Sequence, residues 1–128
     1  MTERRNISSG AALEPRYGYS RAVVIGDRVL VAGTAPIMPW DADPPPGAYG
    51  QARRCLEIIG DALREAGGGL EDVVPTRMFV TRAEDMSEVG RAHGEVFGDV
   101  RPVSTAVVVS LIDPPRLVEI EAEAALAR

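Results

Sequence analysis

The segment from Leu117 to Ala125 alternates without a break: Val118, Ile120, Ala122 and Ala124 fall on one side, and Glu119, Glu121 and Glu123 on the other. A period of two marks a strand, because successive side chains of an extended backbone point to opposite faces. Three like charges along one face repel one another and must meet water, cations or a partner chain. Two readings stand for that row. It is a solvated edge, or a partner chain covers part of it. In the second case a desolvated Glu has its pKa raised and can shuttle protons near neutral pH.

The rest of the chain reads as α+β. Val23-Val24-Ile25 and Val29-Leu30-Val31-Ala32 are β-branched runs joined through Gly26-Asp27-Arg28, which predicts a hairpin whose second strand ends at Gly33. Asp41 to Gly47, with three consecutive prolines, is a stiff surface loop. Beyond it Ala52, Cys55, Leu56, Ile59, Ala62, Leu63 and Ala66 recur at spacings of three and four, one apolar helix face that Gly67-Gly68-Gly69 stops. Val73 to Val80 has the strand period. Asp85 is expected to cap a second helix carrying Met86, Val89, His93, Val96 and Phe97 on its inner face, ended by Gly98. Ser104 to Val109 follows, a strand whose run Ala106 to Val109 suits cover on both faces. If Arg5 to Ser8 pairs as well, the order is β-β-β-α-β-α-β-β, a mixed sheet with two helices on one face. Its other face is left uncovered within one chain, which predicts a homo-oligomer.

Length and charge narrow the function. At 128 residues the chain is expected to be a single domain spanning 1–128. Fourteen Lys and Arg against nineteen Asp and Glu give a net charge of −5, the wrong sign for gripping phosphate backbones, so nucleic acid is disfavoured. The lone Cys55 has no disulfide or thiolate partner, and the lone His93 excludes an imidazole metal cage, so no metal is expected. The opening MTERRNISSG lacks an apolar stretch behind its basic residues, and no run approaches the roughly 20 apolar residues of a membrane span, so a cytoplasmic protein is expected. No phosphate loop, GxSxG or HExxH is present. His93 and Cys55 both sit on apolar helix faces and read as structural.

The words along the chain carry more than these patterns do. Gly18-Tyr19-Ser20-Arg21-Ala22, Val31-Ala32-Gly33-Thr34-Ala35-Pro36, Gln51-Ala52-Arg53-Arg54-Cys55-Leu56, Met78-Phe79-Val80-Thr81, His93 to Gly98 before Arg101-Pro102, and Val118-Glu119-Ile120-Glu121-Ala122 follow in order. In order and spacing they resemble the YjgF/Rid family, the reactive-intermediate deaminases once called L-PSP endoribonucleases. The resemblance runs from about Tyr17 onward; residues 1–16, an N-terminal strand and loop, match poorly.

That resemblance implies a chorismate-mutase-like fold, a homotrimer, and a small-molecule cleft between neighbouring subunits. It also implies cofactor-free hydrolysis of enamines and imines to 2-oxo acids and ammonia. Carried onto this sequence, it puts Glu119 at the position of the water-positioning glutamate, Tyr19 at the cleft tyrosine, Gly33 at the backbone-donor glycine and Ser104-Thr105 at the substrate-binding pair. Where the family has an arginine that clamps the substrate carboxylate, this chain has Val103. A charge-assisted bidentate bond is worth on the order of 1.5 to 3 kcal/mol, so its loss implies roughly ten- to hundredfold weaker carboxylate binding. Arg16, Arg21 and Arg101 are the candidates for a cation from another direction, each with a solvated-surface role as the alternative. The expected function is hydrolysis of an imine, enamine or related C–N compound with altered specificity. The alternatives are a metabolite-binding trimer without turnover and, against the charge, a ribonuclease or translation inhibitor.

Overall fold

The computed structural model describes residues 3–127. Its strands are β1 (Arg4–Ile7), β2 (Ala22–Ile25), β3 (Arg28–Thr34), β4 (Val73–Val80), β5 (Val103–Val108) and β6 (Val118–Ala125). They form one sheet in the order β1-β2-β3-β6-β4-β5. β4 and β5 run parallel, and every other neighbouring pair is antiparallel. The β2–β3 hairpin turns on Gly26 at φ +61°, a left-handed conformation that costs glycine nothing, and pairing resumes at Arg28. The last strand in the sequence therefore lies inside the sheet. Its apolar row explains why: Val118, Ile120, Ala122 and Ala124 are all buried under the helices.

Among the described residues three α-helices accompany the sheet: α1 (Leu13–Tyr17), α2 (Ala48–Glu65) and α3 (Met86–Phe97). α2 buries Ala52, Cys55, Leu56, Ile59, Ala62 and Leu63, the face its spacing predicts. Fully burying one such Leu or Ile contributes about 1.5–3 kcal/mol. Its C-terminus is closed by Gly67 at φ +99°, with Gly68 N–H donating to Leu63 O at 2.9 Å and Gly67 N–H to Arg64 O at 3.1 Å, the paired bonds of a Schellman motif. α3 buries Val89, Ala92 and Phe97 against the same core.

Two sequence expectations change here, and one element is new. α1 has no counterpart in the sequence reading: at five residues it is too short to show a period. Asp85 stands at the start of α3 but makes no capping bond, because its carboxylate accepts both Nε and Nη2 of Arg82, at 3.2 and 3.0 Å. β5, read as covered on both faces, is an edge strand exposed along its whole length in this chain. A continuous apolar run does not by itself tell a central strand from an edge strand.

Among the described residues no helix is long and apolar enough to cross a membrane.

Candidate functional site

The face of the sheet away from α2 and α3 carries the glutamate row, and the structure divides it. Glu123 pairs with Arg28 at 2.6 Å, and Glu121 pairs with Arg77 at 3.0 Å. Glu119 accepts no hydrogen bond and joins no ion pair among the described residues. It is half-buried, opposite Phe79 on β4, and on its other side a register shift in β3 between Val31 and Thr34 brings Gly33 beside it. A Cβ placed on Gly33 would lie 3.5 Å from the Glu119 carboxyl carbon and 3.7 Å from both oxygens. The glycine thus leaves one side of the carboxylate open.

Local bonds hold this pair in place. Leu117 N–H donates to Gln51 Oε1 at 2.8 Å, while Gln51 Nε2 donates to Pro45 O at 2.8 Å. One buried side chain of α2 therefore ties the proline loop to the start of β6, two residues before Glu119. On the other side Arg21 Nη2 donates to Gly33 O at 2.7 Å. Gly18, at φ +78°, ends α1 and turns the chain so that Tyr19 N–H reaches Glu14 O at 2.9 Å.

Tyr19, Arg21, Gly33, Arg116 and Glu119 line one cleft of about 730 Å³, walled by the segments 8–13 and 37–39. The first wall is latched by Glu14, a buried carboxylate that accepts from Ser8 Oγ at 2.8 Å, from Ser9 N–H at 3.2 Å and from Ser9 Oγ. Burial pushes the Glu14 pKa up. The Ser9 and Ser8 bonds, with the nearby Arg21 charge, outweigh that and hold it below the usual carboxylate range.

Of the residues singled out in the sequence, Tyr19, Gly33 and Glu119 come together here. Val103, Thr105 and Arg101 do not. Val103 and Thr105 sit on the exposed edge strand, and Arg101 lies in the exposed loop before it at φ +54°. Glu119 shares its row with Phe79 and Val107, and Val103 is four residues back along β5. That places Val103 roughly 13 Å along the strand and roughly 10 Å across from Glu119. Within one chain Val103 and Thr105 therefore stand apart from Glu119. Arg116, which the sequence reading passed over, stands three residues before Glu119 on the strand it introduces, and that position was its only signal.

The lone histidine and cysteine are structural. His93 Nε2 lies 2.8 Å from Thr76 Oγ1, which donates to Ser104 Oγ at 2.7 Å, and the imidazole packs on the Phe97 ring at 4.7 Å between centroids. Burial lowers its pKa. Cys55 is fully buried, and burial, with the Glu119 charge adding to it, pushes the thiol up to about 12, far from any thiolate chemistry at neutral pH. Among the described residues no group of His, Cys, Asp or Glu side chains is arranged to hold a metal ion.

Comparison with known proteins places this chain in a family. The family model described as Endoribonuclease L-PSP matches residues 9–126. An uncharacterized protein from Streptomyces coelicolor is 40% identical over 125 residues, covering 94% of this chain and 90% of that one. A Mycobacterium tuberculosis crystal structure, of a member of the highly conserved YjgF/YER057c/UK114 family, superposes with a TM-score of 0.89 at 44% identity, covering 97% of this chain and 100% of that chain. The 3-aminoacrylate deaminase RutC of Acinetobacter baylyi is 36% identical over 73 residues, which cover 57% of this chain and 58% of that protein. With the family model spanning nearly its whole length, the same mixed sheet and helices, and relatives matched end to end, the chain belongs to the YjgF/Rid family.

Proposed function

We propose that this protein is a small-molecule hydrolase acting on an imine, enamine or related C–N compound, with Glu119 as the group that handles the proton. The observation that carries the reading is the isolation of Glu119: its two neighbours in the row are neutralised by arginines, while it stands unpaired over Gly33 in the cleft. An unpaired carboxylate with one open side is what a water-activating group requires. The partial similarity to a 3-aminoacrylate deaminase supports the reaction class.

Hydrolysis of an activated C=N bond asks little of the protein. Water adds to the carbon of the protonated imine as Glu119 takes one of its protons, giving a neutral carbinolamine. Glu119 returns that proton to nitrogen and then takes the proton of the carbinol hydroxyl as the C–N bond breaks; the carbonyl compound leaves, and the last proton passes to the departing ammonia as ammonium. Tyr19 and the Gly33 backbone border the space in which the substrate would sit.

The complete site is proposed to form between subunits of a homotrimer. Support comes from the separation of Val103 and Thr105 from Glu119 within one chain, and from the exposure of Val103, Val107 and Val108 on an edge strand. In that arrangement Val103 faces the neighbour's Glu119 cleft and replaces a cation by an aliphatic side chain, which shifts specificity. Ammonia release from a panel of imines generated in situ tests the proposal. Wild-type protein should accelerate it, and Glu119→Gln should be slower by at least 100-fold. Equal rates for the two would remove Glu119 from the mechanism. An unaltered ligand recovered from the cleft, with no product from any substrate, would favour the metabolite-binding reading instead.

A further inference from the structure

The guanidinium groups lining the Glu119 cleft differ in how far they are already committed. Arg54 donates its Nε to Ile37 O at 2.7 Å and pairs with Glu57 at 3.4 Å. Arg116 pairs with Asp113 at 3.4 Å. Arg21 has no ion pair within 4.0 Å: Nη2 bonds to Gly33 O, and Nε is buried with no acceptor at all. The buried, unpaired Nε shows that the protein itself does not saturate this guanidinium, and Nη1, which has no partner among the described residues, is left to donate to an acceptor supplied from the cleft.

Arg21 is also held still. Its N–H donates to Ile7 O at 2.9 Å, and its carbonyl accepts Ala32 N–H at 3.0 Å, so β1 and β3 pin the backbone from both sides. The bond to Gly33 O then fixes the guanidinium. Gly33 is the residue that faces the Glu119 carboxylate, so cation and carboxylate flank one glycine. The other cations weighed from the sequence lack this placement. Arg16 is exposed, with its guanidinium 5.9 Å from the Tyr17 ring centroid, Arg101 is exposed beside β5, and neither lines the cleft.

We infer that Arg21 is the substrate-binding cation of this protein, holding an anionic group of the ligand, a carboxylate, beside the carbon on which Glu119 acts. This deepens the proposed hydrolase reading and rests on it for the reaction, but not for the binding. The fork of a guanidinium suits a carboxylate, and a bond of this kind in a partly buried cleft discriminates an acid from its neutral amide by roughly ten- to hundredfold. The cation then comes from the same subunit as Glu119, not from the edge strand that carries Val103.

Calorimetric titration with 2-oxobutanoate and with 2-oxobutanamide tests this without requiring turnover. Wild-type protein should bind the acid at least tenfold more tightly than the amide. Arg21→Gln should erase that preference, Arg21→Lys should keep part of it, and Arg16→Gln, outside the cleft, should leave it intact. An acid preference retained by Arg21→Gln, or absent from wild type, overturns the assignment. Should Arg21→Gln fail to fold, Arg21→Lys decides: a preference reduced threefold or more supports Arg21, and an unchanged one overturns it. Failure of the hydrolase reading looks different. Wild-type protein that turns over no imine yet keeps an Arg21-dependent acid preference sinks the hydrolysis alone, whereas turnover of imino acids with a KM unaffected by Arg21→Gln sinks Arg21 alone.

Discussion

The carboxyl carbon of Glu119 stands 3.5 Å from where a Cβ of Gly33 would be. That distance is ordinary van der Waals contact, and Gly33 is not in the left-handed region, so a methyl group fits without moving the backbone. Gly33→Ala should therefore fold normally, with stability changed by no more than about 1 kcal/mol, since glycine within a strand has no advantage over alanine. It should lose at least tenfold in turnover, because the methyl occupies the open side of the carboxylate. Thermal melting and ammonia release on the same preparation check both halves.

Gln51 links two parts of the chain that the cleft depends on. Gln51→Leu leaves Leu117 N–H and Pro45 C=O without their partners, at a cost of about 2–3 kcal/mol in urea unfolding. The start of β6 is freed with them. Turnover should fall in Gln51→Leu under conditions where the protein is still fully folded.

Two titrating groups divide the acid side of the stability curve. The pKa of His93 is lowered by burial, so the unfolded chain takes up its proton first. Stability from this group is present above the ordinary histidine pKa of about 6.5 and declines as pH falls below it. Glu14 is also held below its ordinary value, so its contribution persists to lower pH and is lost as pH falls through its depressed pKa. Urea midpoints should thus fall between pH 7 and pH 5 in wild type, and that fall should be smaller in His93→Gln. An identical fall in the variant would assign the dependence elsewhere.

Val107 is an exposed apolar residue on an edge strand, in the same row as Glu119 and Phe79. Val107→Lys removes little packing within one chain, so the folded subunit should lose less than about 0.5 kcal/mol. A charge on that strand should prevent another chain from covering it. Light scattering should report three copies for wild type and one for Val107→Lys, and the variant should lose imine hydrolysis if the site is completed by a neighbour.

Much of this molecule is legible without coordinates. The two-residue period of Val118 to Ala124 places the glutamates on one face, and the three-and-four spacing of α2 selects its buried side. The glycine turns mark the ends of the hairpin and of that helix. These features depend on residues adjacent in the chain, and local backbone geometry enforces them. The order of the strands, the edge position of β5 and the isolation of Glu119 among three similar residues were decided only by tertiary structure. Arg77 neutralises Glu121 across 44 residues, Arg28 meets Glu123 across 95, and Gln51 meets Leu117 across 66. Arg21 reads in the sequence as one of three candidate cations beside Arg16 and Arg101, and it becomes distinct from them only where β3 shifts register and brings Gly33 between it and Glu119. Pairings over such separations are set by which strands become neighbours, a property of the packed chain that no local period encodes.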